Sequence, residues 1–262
     1  MHRSLLLNLI CVFFYQNKSL CKADNKSKTI PIGNDGFIVE LSSQQHFCNA
    51  AESCAIYGHR IGIPCYLTGR DYQVVFKHVR GTGNSAWTSL SQLLLLGTNP
   101  YIWLDGDLLE ARLLVYVNTF SWISGLKVPS HPMAVYFYDK EQLDPHPVTS
   151  ADSPDVFCEY WNTNQPSLFS ERFSQKVPKV LMSLVHDRKD MDACRSSATS
   201  ETLLACIWSC ARRFECRSVY YNQASSNCVQ ILYVDSLLPH EYGVDENSWI
   251  RYARVPKEYL ED

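Results

Sequence analysis

The first patterned segment is an apolar run from Leu5 to Tyr15 behind a positive start at His2 and Arg3, with small residues at Ser19, Cys21 and Ala23 as cleavage positions. This is the layout of a secretory signal peptide, placed at residues 1–21. The run is shorter than the roughly 20 apolar residues that span a bilayer. No later stretch qualifies, because "SQLLLLGTNPYIWLDG" is broken by Gly97 and Pro100. A polar N-terminal tail, residues 22–36, follows. Phe37 to Leu41 then reads as a strand, and Ser42 or Ser43 is the expected cap of a helix. The inner face of that helix carries Phe47, Ala50, Ala51, Cys54 and Tyr57, and Gly58 stands where it would end. A second helical pattern, "GRDYQVVFKHV", puts Tyr72, Val75, Phe76 and Val79 on one side. Strand-like segments come next: "NPYIWLDG", "NTFSWISG", "MAVYFY" and "DVFCEYW". Residues 162–177 are polar, contain Pro166, and read as a linker. Beyond it, "SETLLACIWSCARRF" predicts a helix with Ser200 as its cap and apolar surface from Leu203, Leu204, Ile207, Trp208 and Ala211. "CRSVYYN", "QASSN" and "CVQILYV" then predict a strand, a turn and a returning strand.

Export changes what the cysteines mean. With Cys11 and Cys21 removed, nine remain: Cys48, Cys54, Cys65, Cys158, Cys194, Cys206, Cys210, Cys216 and Cys228. In an oxidising compartment they are disulfides by default. Zinc is the rival for the last four, but their spacings contain no C-x2-C pair and no well-placed histidine. A redox pair would want C-x-x-C, and there is none. Cys206 and Cys210 are four apart, so both point to one side of their helix. The simplest arrangement is that helix packed on the hairpin and tied by two bonds.

Composition sets bounds. About 240 mature residues fit two domains, and 46% apolar residues are enough for real cores. The net charge of -3 gives no basic patch for nucleic acid or an anionic membrane. Asn25 lies in the sequon "NKS" and is the expected glycosylation site. No catalytic residues are expected. His46, His59, His78, His131, His146, His186 and His240 are scattered, and neither G-x-S-x-G nor H-E-x-x-H occurs. "DGD", Asp105 to Asp107, reads as a turn. No metal site and no cofactor is expected.

Phe47-x-x-Ala50-x3-Cys54-x3-Gly58 resembles the first-helix signature of C-type lectin-like domains. "YIWL" from Tyr101 resembles that family's W-I-G-L strand, with Trp103 in place of the glycine, and "FCE", Phe157 to Glu159, resembles its terminal I-C-E. The resemblance covers Phe37 to Trp161 and implies a disulfide between Cys54 and Cys158. It departs from the sugar-binding members, which carry E-P-N or Q-P-D in a long loop. "LKVPSHP" is too short for that loop, no carboxylate-Pro-Asn triplet occurs, and calcium needs six to eight oxygen ligands. "WNTN" from Trp161 follows the closing cysteine where the family's W-N-D precedes a cysteine. Ala134 and Val135 stand where the family's inner disulfide would begin. Cys48 and Cys65 are left over in this region, and a bond between them is the expectation.

In the second region, A-C-x3-C-x5-C-x-S-x-x-Y-N-x5-C closely resembles the PAN/apple module, and "SWIRYARV" from Ser248 resembles its closing strand. The resemblance covers Val180 to Pro256 and implies nested bonds, Cys206 with Cys228 and Cys210 with Cys216. Cys194 occupies the family's first cysteine position, but no cysteine follows Cys228 to pair with it. It is therefore the odd thiol, free, capping another molecule, or linking two copies as a disulfide-bonded homodimer.

The expected fold is α+β: two disulfide-stabilised extracellular domains, a C-type lectin-like fold at residues 37–161 and a PAN/apple-like helix-on-hairpin sheet module at 178–262. The expected function is that of a secreted, non-enzymatic recognition protein binding extracellular proteins or glycans without calcium. One alternative is a calcium-independent lectin whose ligand contacts come from Tyr101, Trp103, Trp122 or Trp161. Another is a disulfide-linked component of a surface coat or matrix.

Overall fold

Residues 29–33, 35–69, 72–78, 83–94, 102–103, 115–116, 131–161, 172–175, 183–186 and 194–255 are described by the computed structural model. The first region begins with β1 (Thr29–Ile32), β2 (Gly36–Leu41), α1 (Phe47–Ile61), β3 (Tyr66–Leu67), α2 (Tyr72–His78) and β4 (Ser85–Ser91). It continues through β5 (Ile102–Trp103), β6 (Val115–Tyr116), β7 (Met133–Phe137), β8 (Gln142–His146) and β9 (Val156–Trp161). The second region contains β10 (Arg172–Ser174), β11 (Arg195–Thr199), α3 (Leu203–Ala211), β12 (Cys216–Asn222) and β13 (Asn227–Leu232). A 3-10 helix (His240–Ser248) and β14 (Trp249–Val255) complete it.

In the first region β2 and β9 pair antiparallel along their whole length, Gly36 opposite Trp161 and Leu41 opposite Val156. They lie at the centre of the sheet β1-β2-β9-β3, while β4-β7-β8 forms a second sheet. The two ends of the region are thus held side by side, and Cys54–Cys158 fastens α1 to β9. The cap of α1 is His46, one turn beyond the expected serines: its Nδ1 accepts from the Cys48 N–H at 3.1 Å. The helix also runs past Gly58 and ends at Gly62, whose φ of 74° is left-handed. Gly58 serves a different need. A β-carbon there would lie 2.7 Å from the Ile63 carbonyl oxygen and 2.8 Å from the Cys65 nitrogen, so only glycine lets the following chain fold back onto the helix.

In the second region the sheet order is β10-β14-β12-β13-β11. β12 is its centre and all seven of its residues are buried. Val219 and Tyr221 lie in the core that holds the α3 cysteines, while Tyr220 packs on the other side with Val229, Ile231, Leu238 and Trp249. The alternation in "CRSVYYN" therefore marks a strand covered on both faces. Arg172–Ser174, inside the stretch expected as a linker, is instead an edge strand paired with β14.

Among the described residues there are four disulfides: Cys48–Cys194, Cys54–Cys158, Cys206–Cys228 and Cys210–Cys216. Two cysteine expectations are overturned. Cys48 bonds Cys194, not Cys65, and Cys194 is neither unpaired nor available to link two copies. The physical reason is where the neighbouring elements hold each sulfur. The Leu232 N–H donates to the Cys194 carbonyl at 2.8 Å and fixes Cys194 beside β13, against the start of α1. Cys65 sits in the crevice that Gly58 leaves, just before β3, and is the free cysteine among the described residues, 1% exposed.

One hydrophobic core runs through both regions, from Phe47, Trp87 and Val156 to Cys206, Val219 and Leu232. At the junction Phe214 lies against His59, the rings tilted at 49° with centroids 4.6 Å apart, and meets Tyr66 edge-on at 6.0 Å. The Arg217 guanidinium lies 5.0 Å over the Tyr66 ring, and the Leu237 N–H donates to the Leu93 carbonyl at 3.2 Å.

Candidate recognition surface

α3 is built to be held from one side. Thr202 caps it, its Oγ1 accepting from the Ala205 N–H at 3.1 Å. The expected cap, Ser200, instead donates through its hydroxyl to the Thr202 carbonyl. At the far end the buried Arg254 guanidinium donates to the carbonyls of Cys210 at 3.0 Å, Arg213 at 2.9 Å and Phe214 at 3.3 Å. One of these carbonyls, Cys210, belongs to the last turn of α3 and the other two to the chain that leaves it, and a cation suits that end of the helix dipole. Cys206 and Cys210 are fully buried and bonded to the sheet.

That anchoring dictates what faces outward. Residues two apart on an α-helix are rotated by about 200°. Burying Cys206 and Cys210 therefore turns Leu204 and Trp208 away from the sheet. Leu204 is 75% exposed and Trp208 65% exposed, side by side at i and i+4, with the exposed Arg212 one turn further. Both belong to the apolar set, Leu203, Leu204, Ile207, Trp208 and Ala211, that the sequence pattern assigns to this helix. The signal that would have sorted them was in the sequence: their offset of two from each cysteine.

The aromatic residues expected to touch a ligand behave differently. Trp103 is corrected to a core residue, 1% exposed among Tyr72, Leu90 and Tyr136. Burial on that scale leaves no face for a ligand. Trp161 closes β9 half-buried, its ring nitrogen against Gly36. Tyr101, Trp122, the turn at Asp105 to Asp107 and the sequon at Asn25 lie outside the described residues, as does the signal segment.

A narrow cleft at the junction is lined by Cys65, Tyr66, Phe214, Glu215, Arg217 and Tyr233, among others. Burial alone would raise the Glu215 carboxyl. Its own backbone N–H, Arg213 at 2.8 Å and His59 at 3.6 Å outweigh that and hold it below the usual carboxylate range. Burial, with the Glu159 carboxylate, pushes the Cys65 thiol far up, so it stays protonated and unreactive while covered. Among the described residues no group of three or more His, Cys, Asp and Glu side chains is arranged to hold a metal ion. Among the same residues no helix is long and apolar enough to cross a membrane.

No protein-family model matches the chain, and no curated protein matches it. Solved structures resemble part of it. The C-type lectin CEL-I from Cucumaria echinata is 15% identical, with a TM-score of 0.38 over 52% of this chain and 97% of that one. The carbohydrate-recognition domain of the mouse scavenger receptor C-type lectin is 17% identical, with a TM-score of 0.34 over 52% of this chain and 96% of that one.

Proposed function

We propose that this is a secreted, non-enzymatic recognition protein, a C-type lectin-like region followed by a PAN/apple-like one, that binds an extracellular protein through α3. The observation that carries the reading is the pair Leu204 and Trp208, 75% and 65% exposed on a helix whose other side is locked by two disulfides and Arg254. Large apolar side chains in rigid, pre-positioned contact surfaces are where binding free energy concentrates, and Trp and Arg are the residue types most often found there. Arg212 beside the ridge suits a partner presenting an apolar patch edged by a carboxylate. The first-helix signature, the Cys54–Cys158 tie and the pairing of β2 with β9 support the lectin-like reading of the first region. The clamped helix on a five-stranded sheet supports the PAN/apple-like reading of the second. Calcium independence rests on the missing E-P-N or Q-P-D triplet.

The test is binding of the labelled full chain to cells and to a glycan array, each with and without chelator. Cell binding that survives chelator, is removed by surface proteolysis, and is lost in Leu204→Ser and Trp208→Ala supports the proposal. Sugar binding that a chelator abolishes overturns the calcium-free reading. Chelator-resistant sugar binding lost in Trp208→Ala favours a glycan stacked on the exposed indole instead.

A further inference from the structure

We propose that the Cys48–Cys194 bond is a redox latch across the junction of the two regions, and that opening it uncovers the buried Cys65 thiol. The proposal goes beyond the recognition reading and stands without it.

The four disulfides differ in access. In Cys54–Cys158, Cys206–Cys228 and Cys210–Cys216 every cysteine is at most 2% exposed. In Cys48–Cys194 only Cys194 is buried, at 4%, while Cys48 is half-buried on the first turn of α1. Thiol–disulfide exchange needs an approach to one sulfur, so an exposed bond is the labile one in a set. This bond differs in a second way: the other three lie within one region each, and among the described residues this one alone crosses between them.

What lies beneath the crossing also differs from an ordinary core. Cys65, 1% exposed, lines the junction cleft together with Ala51, Ala55 and Leu67 from its own region and Phe214 and Tyr233 from the other. The polar and aromatic contacts across the junction near it are an edge-on ring pair, a tilted histidine–phenylalanine pair, an arginine over a tyrosine and a partly exposed ion pair. Each is worth little alone. Reducing the latch leaves both regions with their own disulfides and removes the disulfide that, besides the chain itself, ties the two across the junction.

The chemistry is a dithiol reduction. One thiolate of the reductant attacks the Cys48 sulfur, the bond to Cys194 breaks, and Cys194 leaves as a thiolate that takes up a proton. The second reductant thiolate attacks the mixed disulfide, Cys48 leaves and is protonated, and the reductant becomes a disulfide. Two electrons pass from the reductant into the bond, and no other group changes oxidation state.

The experiment is alkylation of the full-length protein after graded dithiothreitol, with each cysteine read by mass spectrometry, alongside the double variant Cys48→Ser/Cys194→Ser without reductant. Cys48 and Cys194 should become alkylated together at the lowest dose. The labelling rate of Cys65 should then rise on the order of tenfold or more, since a thiol in a locally opening region reacts in proportion to how often it is exposed. The double variant should show the same fast Cys65 labelling with no reductant. Reduction of any other bond at or before the same dose overturns the latch. Cys65 staying unlabelled after selective reduction shows that the junction remains shut and overturns the uncovering. If the double variant fails to fold, the wild-type dose series decides the question.

Discussion

α1 and α3 are both helices tied by a disulfide to a neighbouring strand, yet they are held by different physics. α1 buries Phe47, Ala50, Ala51, Cys54, Ala55, Tyr57 and Gly58, a face whose small residues between two aromatic rings let the chain come close, and it lies in the core shared by both regions. α3 buries only its two cysteines and turns Leu204 and Trp208 to the outside. The first helix is fixed by packing shape and reinforced by sulfur, while the second is held mainly by covalent bonds and a buried arginine, with only Leu203 and Ile207 packed part-way against the core. Apolar surface is therefore left exposed on the helix that covalent anchoring holds.

The strongest way to break that comparison is to remove the sulfur from α3. Cys206→Ala with Cys228→Ala opens a bond of sequence separation 22, and the chain-entropy model puts the loss near 3 kcal/mol. Urea unfolding with a fluorescence readout should show it. A loss well below 1 kcal/mol would mean that packing holds α3 after all. Next comes Arg254→Ala, which leaves the carbonyls at and just beyond the end of α3 without their charged donor and should cost about 2 kcal/mol, with Arg254→Lys recovering only part because a point charge cannot reach several carbonyls at once.

For α1 the corresponding test is shape. Gly58→Ala forces a β-carbon against the backbone at Ile63 and Cys65 and should destabilise by about 1–3 kcal/mol, although alanine is the better helix former. Calorimetry that found the variant more stable would remove the close-approach argument.

A smaller effect is expected at the junction. A carboxyl whose pKa is lower in the folded than in the unfolded state adds stability above its unfolded value, and that contribution is lost as pH falls through the folded value. Glu215 should therefore give a loss of stability on acidification below its ordinary value of 4.5. Glu215→Gln should flatten that part of the profile and cost below about 1 kcal/mol at neutral pH, as a partly exposed pair does. The smallest stability change is expected for Trp208→Ala, within about 0.5 kcal/mol of wild type, because the ring is mostly in solvent. That is what makes it the clean variant for the binding test.

Local pattern made several elements legible. The strand at Phe37, the helix at Phe47, the turn of helix at Tyr72, the cysteine helix and the hairpin after it all appear close to their expected places. Boundaries moved by a few residues wherever a different group reached the helix end first, as His46, Gly62 and Thr202 did. The candidate site was harder to read, since the aromatic strand residue Trp103 turned out to be core and the exposed tryptophan lies on α3. An aromatic side chain in a sequence carries no mark of whether the other half of the molecule will cover it.

The sequence by itself determined the helical and extended segments and the side of α3 that its cysteines anchor, because those follow from residue periodicity over a few turns. Only the tertiary structure decided which cysteine was left over. Cys48, Cys65 and Cys194 are chemically equivalent along the chain, and the choice among them depends on where Gly58 lets the backbone close in and where β13 holds Cys194 against the first turn of α1. A sulfur pairs with whichever partner the packed elements bring within bonding distance, and a separation of 146 residues leaves no local trace of that choice.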